Sequence, residues 1–161
     1  MTNLNNLLQK LCEADIEFVI VDGFAAVIHG SSTLTRDIDV CTILSSANIE
    51  KLRNIFANLN PTHRFTSPRL SFLDNPSPGE SLNNLYLQTD LGPIDFLSHI
   101  DGVGNFEDVS QHSEEITLYG TKVKIINLDA LVRAKETLGR EKDLLAAKEL
   151  RAILEKKNQN I

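Results

Sequence analysis

Cysteine is nearly missing from this sequence: Cys12 and Cys41 are the only two in 161 residues. They are too few for a disulfide framework and match no metal-ligand spacing, so both read as core thiols of a reducing compartment. Long apolar runs are missing as well. No stretch approaches the roughly 20 residues that span a bilayer, and Met1 to Gln9 is polar and amphipathic rather than basic and then apolar. Neither a membrane anchor nor a secretory leader is expected, which points to the cytoplasm. Positive charge is in deficit, with 16 Lys and Arg against 22 Asp and Glu and a net charge of −6. That balance argues against a protein that grips long nucleic acid by neutralising phosphates, and leaves a small or locally bound nucleotide compatible. Internal repeats and low-complexity segments are also missing. What remains, 42% hydrophobic residues, furnishes a core for one compact domain over residues 1–157, with 158–161 as a fraying tail.

Hydrophobic spacing sets out the elements. Leu4, Leu7, Leu8 and Leu11 predict an amphipathic helix ending near Ala14 or Asp15. Glu17 to Val21 is a buried strand, followed by a turn signal at Asp22-Gly23 and a short helix from Phe24 to His29 closed by Gly30. Ser31 to Thr35 is a polar loop. From Arg36 the alternation Asp37, Ile38, Asp39, Val40, Cys41 predicts a second strand with acid on one face at its beginning. Ser45 or Ser46 caps a helix carrying Ile49, Leu52, Phe56 and Leu59 on one side. Between Asn60 and Asn84 the periodicity fades among several prolines, which reads as a mobile flap or long hairpin with one strand at Leu70 to Leu73. Leu85 to Thr89 and Pro93 to Leu97 form a hairpin around Asp90-Leu91-Gly92. A short segment near Phe106 to Val109 precedes a second strand pair, Ile116 to Tyr119 and Val123 to Ile126, joined at Gly120. Asn127 caps a helix bearing Leu128, Leu131 and Val132. Gly139 breaks it, and a last helix runs from about Arg140 to Lys156. The order predicts an α/β (α+β) fold, a mixed sheet flanked by helices with a C-terminal helical pair.

Three carboxylates carry the chemistry. Asp37 and Asp39 are two apart on a strand, so they leave the same face with backbones about 6.5–7 Å apart. Burying such a pair needs compensating positive charge, and magnesium supplies it while leaving part of its shell to water and phosphate. Asp95, between Ile94 and Phe96 on a buried strand, needs either an arginine, Arg36 or Arg140 being candidates, or a share in the same metal. His29 braces the loop before Asp37 rather than binding metal.

The segment from Val21-Asp22-Gly23 through His29-Gly30, Ser31, Ser32, Thr33 and Thr35 to Asp37-Ile38-Asp39 resembles the signature of the DNA polymerase β-like nucleotidyltransferase superfamily. The likeness is strongest to its small bacterial members of abortive-infection and toxin type. There a Gly-Gly or Gly-Ser pair opens a helix, a His-Gly and a Thr lead into an Asp-x-Asp strand, and a third acid follows on a later strand. Asp95 fills that last place, and Leu131 to Lys135 with Gly139 to Asp143 resembles the group's ending. The resemblance implies a nucleotidyltransferase fold and transfer of a nucleoside monophosphate from an NTP to an unidentified hydroxyl on a small molecule, protein or RNA end. It implies one or two Mg2+ ions on Asp37, Asp39 and Asp95, with Asp95 assisting the attacking hydroxyl. Gly23, Ser31, Ser32, Thr35, Lys135 and Arg140 would hold the nucleotide. The chain departs from the pattern at Asp22, in place of the first glycine, and at Thr33, in place of a basic residue. Asp22 reads as the cap of the helix at Gly23, which would occupy the donors that phosphate needs. The alternative function is therefore a binding module of this fold without turnover, with a protein partner in a toxin–antitoxin or phage-defence pair.

Overall fold

In the computed structural model, which describes residues 3–159, local signals and observed elements mostly coincide. Helix α1 spans Leu4–Cys12, and the Asn3 side chain accepts from the Asn6 N–H at 3.1 Å to cap it. Strand β1, Phe18–Val21, runs into helix α2, Asp22–Ile28; strand β2 is Ile38–Thr42 and helix α3 is Ser46–Phe56. Ser45 is the α3 cap, accepting from the Asn48 N–H at 3.2 Å. Strand β3, Thr62–His63, is followed after a long excursion by β4, Leu85–Thr89, and β5, Gly92–Leu97. A small ribbon pairs β6, His99–Ile100, with β7, Gly104–Asn105. Helix α4, Phe106–Gln111, then β8, Ser113–Leu118, and β9, Thr121–Ile126, precede α5, Leu128–Leu138, and α6, Glu141–Gln159. Asn127 caps α5 by accepting from the Ala130 N–H at 3.1 Å, and Gly139 ends it at φ +71°, where a side chain would be strained.

Seven strands form one mixed sheet in the order β3-β4-β5-β2-β1-β9-β8. β2 lies parallel to β5 and antiparallel to β1, so the second and fifth strands meet at the centre although some fifty residues of chain separate them. All five β2 positions are buried, and one apolar cluster runs through the sheet and the helices against it. No helix of the described residues is long and apolar enough to cross a membrane.

Several boundaries differ from expectation. α1 stops at Cys12, α2 begins two residues early at Asp22, and Asp37 occupies a bend just before β2. α6 continues through Gln159, so the expected fraying from Lys157 is not seen, and residues 160 and 161 of that tail lie outside the described residues. Strand Leu70 to Leu73 does not form. One isolated bridge joins Thr62 to Ser71 instead. The excursion is fastened rather than loose, because Phe72 is fully buried and the buried Arg53 of α3 donates from Nε to the Phe72 carbonyl at 2.8 Å. The Arg53 guanidinium also bonds Glu50 and the Pro76 carbonyl and lies 5.2 Å from the centre of the Phe72 ring. Buried guanidinium donors satisfied this way substitute for the ladder a regular strand would have made.

Candidate metal centre

Strand register assembles the site. Asp39 on β2 is the direct neighbour of Asp95 on β5, Asp95 faces Tyr86 on β4, and Asp39 faces Val21 on β1. Partners in register share a face of the sheet. With Asp37 two residues before Asp39, the three carboxylates each offer an oxygen within 4.8 Å of the others. Asp39 is 8% exposed, and Asp37 and Asp95 are half-buried.

Crowding this much negative charge has a visible electrostatic result. The Asp39 carboxyl is pushed up to about 8, first by burial and then by the charges of Asp22, Asp37 and Asp95. Burial also raises Asp95, against the hydrogen bond and charge of an arginine beside it. Both shifts favour protonation of the cluster, the response expected of crowded carboxylates that no cation compensates. Hard oxygen donors, clustered and short of positive charge, fit a magnesium-class ion.

The arginine beside Asp95 is neither Arg36 nor Arg140. It is Arg64, from the excursion after β3, whose guanidinium donates to Asp95 Oδ1 at 2.6 Å and to the Leu87 carbonyl at 2.9 Å. Phe65 packs its ring 4.7 Å from that guanidinium and meets Tyr86 edge-on, closing over the contact. Arg140 instead pairs with Asp143 at 2.5 Å, at the start of α6.

Asp22 also departs from expectation. It makes no capping bond at α2; it is itself the first residue of the helix, at φ +57°. That left-handed conformation suits glycine and is tolerated by aspartate. Its carboxylate forms an ion pair with Lys135 of α5. Gly23 follows, and a Cβ there would come 3.2 Å from Thr35 Oγ1. Thr35 in turn donates to the Asp37 carbonyl at 3.1 Å, so Gly23 and Thr35 hold the backbone that aims Asp37. Ser31 and Ser32 donate their hydroxyls to Glu149 of α6 at 2.6 and 2.7 Å. These hydroxyls tie the loop to α6. His29 is buried and bonds the Ile126 carbonyl at 2.8 Å, bracing the start of the loop against β9.

No protein-family model and no curated protein matches the chain. Solved structures do. A protein from Thermotoga maritima described as a nucleotidyltransferase aligns over 97% of this chain and 96% of its own, with 17% identity and a TM-score of 0.54. The lincosamide antibiotic adenylyltransferase LnuA, in its lincomycin-bound structure, aligns over 93% of this chain and 95% of its own at 15% identity and a TM-score of 0.59. This chain has the nucleotidyltransferase fold. A third neighbour, ANT(2")-Ia in complex with adenylyl-2"-tobramycin, aligns over 92% of this chain and 97% of its own at 14% identity and a TM-score of 0.50.

Within this nucleotidyltransferase fold a cleft of about 530 Å³ opens beside the triad. Asp37 and Asp39 line it, with Asp22, Gly23 and Thr33 from the β1–β2 side and Lys135, Arg140, Lys142, Asp143, Leu145, Ala146 and Glu149 from the helical pair. Five carboxylates face three cationic side chains here. Such a cleft repels a polyphosphate until divalent cations reverse its sign. Arg64 and Glu149 were not marked by the sequence as site residues; Arg64 lies where periodicity fails, and Glu149 reads as an ordinary helix-surface acid.

Proposed function

We propose that this protein is a magnesium-dependent nucleotidyltransferase that moves a nucleoside monophosphate from an NTP to a hydroxyl acceptor. The observation that carries the reading is the register of Asp39 against Asp95 beside Asp37, which converges three carboxylates at the edge of a cleft that also holds Lys135, Arg140 and Lys142.

Asp37, Asp39 and Asp95 would hold one or two Mg2+ ions, which when bound neutralise phosphate charge and polarise the attacked phosphorus. Lys135, Arg140 and Lys142 draw the triphosphate into the cleft. α2 spans only seven residues, so phosphate binding rests on those side chains and the metal site rather than on the helix terminus. Gly23 keeps the backbone low beneath the phosphates, and Thr35 holds the Asp37 main chain. Asp95 accepts the proton of the acceptor hydroxyl while the new oxygen–phosphorus bond forms at the α-phosphorus and the bond to pyrophosphate breaks. Arg64 opposes the upward shift of Asp95 and orients it for that step.

Thermal shift with each NTP, with and without magnesium, tests the reading on wild type and Asp37→Asn. Magnesium-dependent stabilisation by an NTP in wild type alone is expected, followed by pyrophosphate release once an acceptor is supplied. The ion pair of Asp22 with Lys135 favours a second reading, a nucleotide-binding module without turnover acting with a protein partner. NTP binding without pyrophosphate release in cell extract supports that module.

A further inference from the structure

A second cleft, of about 450 Å³, opens on the other side of the ion pair between Asp22 and Lys135, and those two residues line both clefts. Its floor continues the sheet face that carries the triad. Tyr86, the register partner of Asp95, lines it, as do Val21, the partner of Asp39, and Leu97, two residues beyond Asp95 on the same face. Leu131, Ala134 and Leu138 of α5 form one wall, and Ser98 to Asp101 form the lip.

Resting on the transferase reading above, we propose that this cleft receives the acceptor, and that the acceptor is a small, uncharged, hydroxyl-bearing molecule with an apolar body. In-line displacement requires the entering and leaving oxygens on opposite sides of the phosphorus. The cationic side chains that would take the departing pyrophosphate lie in the first cleft, so the hydroxyl enters from the other side of the triad, where Asp95 and Tyr86 stand. The first cleft also carries an apolar strip at Leu145 and Ala146 for the nucleobase, which leaves the second one to the acceptor.

The lining selects the class. Each carboxylate in the second cleft has a basic neighbour: Lys135 pairs with Asp22, and the His99 ring lies 3.4 Å from Asp101. Two carboxylates, one lysine and one imidazole, with no cluster of either sign, offer little to a polyanion such as an RNA end and little to a polycation. Its volume lies in the range of small-molecule pockets and is far too small for a folded protein. Apolar walls with a few polar groups at the inner end and lip suit a molecule such as an alkyl or aryl glycoside. Among the described residues the Tyr86 hydroxyl has no protein hydrogen-bond partner, so it is available to an incoming hydroxyl beside Asp95.

The test is amide chemical-shift mapping on the full chain with three probes: a magnesium complex of a non-hydrolysable ATP analogue, phenyl β-D-glucoside, and tobramycin. The glucoside is expected to shift Ser98 to Asp101 and Leu131 to Leu138, while the nucleotide shifts Gly23, Thr33 and Leu145 and tobramycin leaves the second cleft unmoved. Leu138, 42% exposed at the mouth, tolerates a larger side chain. Leu138→Trp is expected to weaken the glucoside about tenfold or more and leave the nucleotide within about twofold. Nucleotide shifts at Ser98 to Asp101 would make this the nucleoside pocket and overturn the assignment. Absence of glucoside shifts overturns it whatever the nucleotide does, and preferential binding of tobramycin overturns the charge argument. Glucoside shifts without any nucleotide shifts sink the transferase reading alone.

Discussion

Metal-free protein should lose stability as the pH rises from about 5 to about 8, and Asp39→Asn should remove that loss. The Asp39 carboxyl sits near 8 in the folded chain against an ordinary 3.8 when exposed. Between those values the folded state holds a proton that the unfolded state has released. The stabilising contribution of that proton is complete below about 4, declines as pH rises, and is gone once pH passes the folded value. A gap of about four pH units at about 1.4 kcal/mol each sets a ceiling near 6 kcal/mol. Sharing of the proton with Asp95, and the nearby Arg64, reduce the realised difference to about half of that, or about 3 kcal/mol. For a chain of this length each kcal/mol moves the midpoint by about 2–4 °C, so a fall of about 6–12 °C is expected. The assay is thermal unfolding in chelator across that pH range. Every other side chain is common to the two proteins, so the difference between wild type and Asp39→Asn isolates the cluster. Millimolar magnesium at pH 8 should restore the wild type and leave Asp39→Asn unmoved. Parallel pH profiles for the two proteins would refute the reasoning.

Further substitutions probe the surrounding parts. Arg64→Leu removes the cation that opposes the upward shift of Asp95, so the acidic limb of the pH–rate profile for pyrophosphate release should move to higher pH; an unmoved limb dismisses Arg64 from the step. Asp22→Asn frees Lys135 and removes one carboxylate from the phosphate cleft, and titration calorimetry should show magnesium–NTP binding tightened several-fold, about 1 kcal/mol, with Lys135→Met weakening it by at least as much. Glu149→Ala strips the loop before Asp37 of two hydroxyl contacts and should lower the midpoint of denaturant unfolding, with a rise in the KM for NTP. Phe72→Ala should cost about 3–5 kcal/mol, because a fully buried ring beneath the excursion leaves a cavity.

Much of the architecture was legible locally. Alternation marked β2 and the β4–β5 hairpin, and Asn127 and Gly139 bracketed α5, because those signals act within a few residues. Asp37 and Asp39 stood out as acid on an apolar strand, and Asp95 as acid between Ile94 and Phe96. Their convergence depends on the parallel register of β2 with β5, a long-range pairing that no local period encodes. Asp22 was misread because the aspartate that caps a helix and the aspartate that begins one at positive φ share the same sequence neighbours. Ser31 and Ser32 looked open to a ligand for a similar reason, their acceptor Glu149 lying more than a hundred residues away. Arg64 was invisible because a proline-rich, aperiodic segment is positioned by side chains rather than by a ladder.

That last segment gives the site two owners. The three carboxylates belong to the sheet and to the bend leading into it, but the guanidinium on Asp95 arrives on a strap whose fastening is Arg53 of α3, gripping the carbonyls of Phe72 and Pro76. Damage at Arg53 would therefore loosen the strap and, on the proposed reading, reach the proton acceptor without touching any of the three carboxylates. Changes in the length or composition of the strap could retune proton transfer from a distance, leaving the carboxylates themselves untouched.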